Sequence, residues 1–314
     1  MAPKIPTFIT AKIIYLLALL VFLGILTNTL INIESSDSPP QSPSPTPKAS
    51  ASPKVVKETK NPKVEALVKS AQGFPGKWAI FVKDLKTQNT YELNSAQVFG
   101  AASVYKLAVM YAAYDTIDAG KLKKSDVLSS TKTSLDQEIA GMQNQVSPQP
   151  DQTETVSYTV ERALNLMITI SDNYSALLLA ERLGWANMDK LMEQRGFAEI
   201  NLVGENSPNI TARSTAALLE KIYKKEAVAK IYSEEMINLL LAQKINNRIP
   251  KYLPVNTKVA HKTGELETIR NDAGIVYGKK GNYIFVFLTE TANPLEATET
   301  IATLSKQIFE ELDK

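Results

Sequence analysis

Cysteine is absent from the whole chain, and histidine occurs once, at position 261. The first absence excludes disulfide bonds and thiol catalysis. The second leaves too few ligands for an ordinary zinc site, which draws on several His or Cys side chains. It also makes any Ser-His-Asp triad depend on His261 alone. That residue immediately precedes Lys262 on an expected strand, so the two side chains point to opposite sheet faces and His261 reads as structural. A surplus of one charge sign is lacking too: 35 basic and 33 acidic residues leave +2. That balance gives no support for a nucleic-acid partner, and no nucleic-acid motif or internal repeat occurs. No cofactor and no metal are expected.

What the chain does have begins with an uncharged stretch of 21 residues, Ile13 to Ile33, rich in Leu, Ile and Val. As a helix it is long enough to cross a bilayer core of about 30 Å. Lys4 and Lys12 precede it, and Glu34 and Asp37 follow it, which predicts a single pass with a cytoplasmic N-terminus and an exported remainder at the cell membrane. A cleaved signal peptide is the competing reading, but Leu26-Thr27-Asn28-Thr29-Leu30 offers no small-residue cleavage site. Residues 35–62 hold seven of the sixteen prolines, mixed with Ser, Lys and Ala. Such a segment buries too little apolar surface to offset its ordering entropy and reads as an extended linker. The expected division is a cytoplasmic stub and transmembrane anchor at 1–34, a disordered linker at 35–62 and a folded domain at 63–314. The last, at roughly 250 residues, is large enough for two intertwined subdomains.

Within that domain a helical segment near Val64 to Ala71 precedes an alternating run from Trp78 to Leu85. A turn at Lys86 to Asn89 leads to Tyr91–Leu93, completing a β-hairpin pattern. The middle, from about Ser103 to Lys244, reads as helical. Strands return at Lys258–Lys262, Asp272–Tyr277 and Tyr283–Thr289, and a last helix carries Ile301, Leu304, Ile308 and Leu312 on one stripe. Strands at both ends with helices between them predict an α/β (α+β) fold. One antiparallel sheet is built from both chain ends and flanked by helices, beside an all-helical subdomain.

Three short motifs stand in order along this domain. Ser103-Val104-Tyr105-Lys106 opens a segment, Val104 to Ile117, that is apolar nearly all round and so belongs inside the protein. A helix N-terminus favours a developing oxyanion nearby, and Lys106 lies one turn from Ser103. Burial or a neighbouring cation would lower the lysine pKa enough for it to activate the serine. Serine is also a common helix cap, and Ser-x-x-Lys recurs at Ser129–Lys132 in what reads as an exposed loop. Ser171-Asp172-Asn173 interrupts an apolar helical pattern and alone would pass for a capped turn. Lys262-Thr263-Gly264 ends a strand. There a glycine marks close approach of another backbone, and the lysine and threonine can bind a carboxylate.

Taken together, the trio resembles the penicillin-recognising serine hydrolases, the class A β-lactamases and penicillin-binding proteins, from about Val64 to the C-terminus. The resemblance implies that Ser103 is the nucleophile, with Lys106 and Ser171 moving protons, and that Asn173 holds an amide of the substrate. It implies that Lys262, Thr263, Gly264 and Arg270 bind the substrate, Arg270 by pairing with its carboxylate. The backbone N–H groups of Ser103 and Glu265 would form the oxyanion hole, with no role for the Glu265 side chain. Class A enzymes also place the base for deacylation in a Glu-x-x-x-Asn loop. Glu205 to Asn209 fits that spacing, as do Glu161 to Asn165 and Glu234 to Asn238. However, Thr211 begins the next helical segment so soon that the loop is shortened.

The expected function is a membrane-anchored β-lactamase-like serine hydrolase that opens β-lactam rings, cyclic amide C–N bonds, through an acyl-enzyme on Ser103. The alternatives are a D,D-peptidase or penicillin-binding protein acting on peptidoglycan stem peptides, and a non-catalytic wall-binding module. The expected partners are a β-lactam or peptidoglycan-like small molecule and the membrane.

Overall fold

The computed structural model describes residues 59–142, 154–205 and 208–314. The apolar stretch at 13–33 and the linker up to residue 58 lie outside the described residues. Among the described residues no helix is long and apolar enough to cross a membrane.

Helix α1 (Pro62–Ser70) starts two residues ahead of the expected one. Pro62 is pre-set for a first helical turn, and the Asn61 side chain accepts from the backbone N–H of Lys63 and Val64. The expected hairpin follows as β1 (Lys77–Asp84) and β2 (Thr90–Leu93), in antiparallel register with Ile80 opposite Leu93. After β3 (Val98–Gly100), a single 3-10 turn at Ala102–Tyr105 leads into α2 (Lys106–Asp118).

The middle is helical as expected, but it also contains strands that the pattern did not reveal. β4 (Val127–Thr131) pairs with β5 (Thr155–Thr159), with α3 (Lys132–Met142) between them. Ser129–Lys132, expected as a loop, is therefore the end of β4 and the start of α3. Next come α4 (Val160–Thr169), α5 (Asn173–Leu183) and α6 (Trp185–Gln194). The short β6 (Asn209–Thr211) pairs with β3 and precedes α7 (Ala212–Tyr223) and α8 (Lys230–Leu241). Thr159, Asp172 and Thr211 cap α4, α5 and α7 by accepting from Arg162, Ser175 and Ser214.

The chain then completes the sheet with β7 (Lys258–Glu265), β8 (Arg270–Tyr277) and β9 (Asn282–Glu290), and ends in α9 (Pro294–Leu312). The sheet order is β2-β1-β9-β8-β7, all neighbours antiparallel. Both chain ends thus build one sheet, as expected.

Alternation along the strands gives this sheet two buried faces. Ile80, Val82, Tyr283, Phe285 and Phe287 pack against α1 and α9, with Ile301, Leu304 and Ile308 forming the expected stripe. Ala260, Ala273, Ile275, Ile284 and Val286 pack toward α2 and the helical part, whose core includes Leu107, Met110, Leu164 and Leu178. Helix α2 is buried on nearly every side, and it projects the Ser103 turn against the edge strand β7.

Candidate active site

Ser103 sits on the 3-10 turn rather than inside the α-helix, which begins at Lys106. Its predecessor, Ala102, has φ +43°, a left-handed conformation that costs a non-glycine residue on the order of 1–3 kcal/mol. Neighbouring bonds hold the strain in place. Asn271 Nδ2 donates to the carbonyls of Gly100 (3.0 Å) and Ala101 (3.2 Å), and the Ala101 N–H donates to Pro208 O at 2.9 Å.

Gly264 explains how β7 comes so close. A Cβ on it would lie 3.0 Å from Ala101 O and from Val104 Cγ2, and 3.1 Å from the Ser103 amide nitrogen. The strand backbone therefore runs directly beside the Ser103 turn, and only glycine leaves room for it.

Lys106 is fully buried. Its side-chain nitrogen donates to Ser171 O at 2.6 Å and Asn173 Oδ1 at 2.7 Å, and lies 3.4 Å from Ser171 Oγ. Ser103 is not among its hydrogen-bond partners; the amine reaches across to the turn between α4 and α5. Burial lowers its pKa to about 7, against an opposing pull from Asp172. Two carbonyl acceptors suit a neutral amine, which has two N–H bonds to give and keeps a lone pair for a proton.

Ser171 occupies that turn with φ +61°, a second strained non-glycine residue facing the same site. Its hydroxyl accepts from Lys262 Nζ at 2.9 Å, and Lys262 donates also to Thr263 O at 2.7 Å. Burial, and then the charge of Lys106, hold Lys262 well below the ordinary lysine range, while Asp272 pulls upward. Thr263 is buried beside Lys262 in β7.

A cavity of about 460 Å³ opens above these groups, within the size range of ligand sites. Ser103, Asn173 and Glu265 give it polar wall, and Tyr105, Ile139, Leu177, Leu266 and Ile269 give it apolar wall. The fold thus brings together Ser103, Lys106, Ser171, Asn173, Lys262, Thr263, Gly264 and Glu265.

A sequence model of the β-lactamase enzyme family matches residues 61–312. The chain belongs to this family. It is similar to β-lactamase VEB-1 of Pseudomonas aeruginosa, with 25% identity over 264 residues, covering 76% of this chain and 85% of that one. Among solved structures it resembles PBP-A (TM-score 0.71, 20% identity, 80% of this chain and 96% of that chain). It also resembles a β-lactamase from Sphaerobacter thermophilus (TM-score 0.68, 22% identity, 79% and 96%). A variant of PBP-A is solved as an acyl-enzyme complex with penicillin G (TM-score 0.69, 21% identity, 80% and 96%). The family makes this chain an enzyme, a serine hydrolase, in keeping with the motif trio.

Against the β-lactamase pattern, Arg270 is the expected site residue that the fold does not deliver to the cavity. Its Nη1 donates back to the carbonyls of Leu266 (2.5 Å) and Ile269 (2.7 Å), fastening the β7–β8 turn. The guanidinium beside Lys262 belongs instead to Arg248, which sequence reasoning missed. Arg248 is fully buried in the loop before β7, where Asp272 Oδ2 accepts from the next N–H, Ile249, at 3.0 Å. Its Nη2 donates to Glu265 Oε2, while Nε and Nη1 have no partner among the described residues.

Glu205 is exposed and absent from the cavity wall, although Gly204 and Pro208 line it. Among the described lining residues the carboxylate is that of Glu265, already engaged by Arg248. His261 is structural, as expected: its Nδ1 lies 2.9 Å from Asp272 Oδ1 and its Nε2 lies 3.0 Å from Asn246 Oδ1, on the sheet face away from Lys262.

Proposed function

We propose that the chain is a membrane-tethered serine hydrolase that opens β-lactam rings through an ester on Ser103. The Ser103 oxygen attacks the ring carbonyl carbon and its proton passes to neutral Lys106. The C–N bond then breaks, and the departing nitrogen takes a proton through the Ser171 hydroxyl, leaving the acyl group on Ser103. The N–H groups of Ser103 and Glu265 receive the developing oxyanion, such donors being worth about 10²–10³ in rate. Asn173 keeps its Nδ2 for a substrate amide while its Oδ1 serves Lys106. Lys262 and Arg248 supply positive charge for the substrate carboxylate, with Thr263 and Gly264 framing the strand beside it.

The observation that carries this reading is the pair of buried amines, Lys106 and Lys262, on either side of the half-buried Ser171 hydroxyl beneath a strained serine turn. A binding module gains nothing from two buried amines around one hydroxyl, and their burial is costly. The test is mass spectrometry of the protein after penicillin treatment. An adduct on the wild type and none on Ser103→Ala supports it; unmodified wild type defeats it.

A second reading concerns the natural substrate. No carboxylate base stands free in the described cavity wall, which favours a slowly hydrolysed acyl-enzyme and a wall-peptide substrate, as in a D,D-peptidase or penicillin-binding protein. Release of free D-alanine from a stem pentapeptide, with the remaining acyl chain passed from Ser103 to water or to an acceptor amine, would support it.

The stretch at 13–33 supports an uncleaved anchor that leaves the enzyme domain outside the membrane, on the linker at 35–62. Carbonate extraction and protease digestion of intact cells test this. A soluble product, or one protected from protease until lysis, defeats it.

A further inference from the structure

Glu265 ends β7 immediately after Gly264, and its side chain is 58% exposed at the cavity wall. The partner of its carboxylate is 0% exposed: the Arg248 guanidinium beneath it. This ion pair is therefore one-sided, a buried cation capped by an anion that water can reach. The bond to Glu265 is the hydrogen bond that Arg248's guanidinium makes among the described residues, and the buried Nε and Nη1 remain without partners. Two further basic side chains, Lys262 and Lys106, lie in the same buried region, and charge on Lys106 lowers the pKa of Lys262. A guanidinium so placed demands an anion, and with Nε and Nη1 enclosed, a second carboxylate reaches the arginine fork only where Glu265 now sits.

We propose that the Glu265 side chain is a specificity-determining gate. In the empty enzyme its carboxylate occupies the anion subsite of Arg248 and Lys262, and a ligand carboxylate enters only by displacing it. This rests on the acylation reading above for the identity of the ligand. The energetic consequence is a competition between like charges for one guanidinium. Part of what the ligand carboxylate gains is spent on removing Glu265. The displaced side chain then stays at the cavity rim, where its negative charge opposes the incoming anion. Glu265 can move because it faces water; Arg248 cannot, because it is enclosed and its chain is held through Ile249 to Asp272. An uncharged ligand of the same shape does not meet this opposition.

The experiment uses the full chain in detergent at fixed ionic strength, with benzylpenicillin and its methyl ester as probes. Second-order acylation rates are compared for wild type, Glu265→Gln and Glu265→Ala. Glu265→Gln keeps an acceptor for Arg248 without the charge. The expected result is a rise of about tenfold for the acid in both variants, with the ester within about twofold of wild type. An equal rise for acid and ester shows steric opening only and overturns the proposal, as does an unchanged or slower rate for the acid. To separate the gate from the acylation reading, the same substitution is made in Ser103→Ala and Kd for both probes is measured by calorimetry. Tighter binding of the acid alone by about tenfold supports the gate even if the wild type is never acylated. Equal Kd values, or no binding by either protein, overturn it. An unlabelled wild type together with that tighter binding overturns only the acylation reading.

Discussion

Lys262 Nζ donates to Ser171 Oγ at 2.9 Å, joining residues 91 positions apart, and Lys106 Nζ approaches the same hydroxyl at 3.4 Å. One hydroxyl thus lies between two buried amines, and their mutual repulsion favours a neutral form for at least one of them. A base and a proton carrier are thereby available without an imidazole.

Lys106 acts as a base only when neutral. With its pKa at about 7, the acylation rate rises with pH through that value and levels off above it. Lys106→Ala is expected to lower the rate by about 10²–10⁴ and to erase the inflection, and Lys106→Arg cannot restore it because a guanidinium stays charged. The same shift bears on stability. Between about 7 and the ordinary 10.5 the unfolded chain binds more protons at this position than the folded one. This group's contribution to stability therefore increases with pH across that interval. Stopped-flow acylation and denaturant titrations over pH 6–10 check both statements.

Ser171 separates two effects of one residue. Ser171→Ala and Ser171→Gly both remove the hydroxyl, so both are expected to slow acylation by about 10²–10⁴. The backbone φ of +61° is easy only for glycine, so the glycine variant is expected to be about 1 kcal/mol more stable than the alanine variant. Equal denaturation midpoints would contradict this.

Gly264→Ala places a methyl group 3.0–3.1 Å from the backbone of Ala101 and Ser103 and the side chain of Val104. The strand and the serine turn must then move apart by a few tenths of an ångström. The expected outcome is a folded protein destabilised by about 1–3 kcal/mol, with acylation reduced by about 10²-fold through misplacement of the nucleophile. Thermal melts and acylation kinetics read the two losses separately.

Asp272 is fully buried, close to His261 Nδ1 at 2.9 Å and accepting from Ile249 N at 3.0 Å. Asp272→Ala is expected to cost about 3–5 kcal/mol, as breaking a buried charged network does. Because Ile249 follows Arg248, weaker binding of carboxylate ligands should accompany the lost stability, measurable by calorimetry.

Much of this was legible before the fold was known. The strands near both ends carried alternating apolar residues bounded by turns, so the sheet and its α9 stripe could be read directly. Gly264 could be read as a close approach because glycine at a strand end has few other uses. The small sheets β3–β6 and β4–β5 were not legible. Their strands are three and five residues long; Thr155–Thr159 does alternate exposed and half-buried residues, but over so few positions that the run does not stand out beside the helical segments. Arg248 escaped for a related reason. It lies in a loop with no motif, and what makes it important, its enclosure beside Lys262 and beneath Glu265, comes from residues distant in sequence. Arg270 drew attention through the family resemblance, but a side chain's direction at a turn is set by local carbonyls that no resemblance records.

The most direct measurement is a pulse of benzylpenicillin followed by a timed chase, read by intact-protein mass spectrometry on wild type and Ser103→Ala. The expected result is one covalent adduct on the wild type, none on Ser103→Ala, and slow loss of the adduct, since Glu205 lies off the cavity wall. A wild type that never gains the adduct, or a Ser103→Ala protein that gains it equally, contradicts the assignment of Ser103 as the nucleophile.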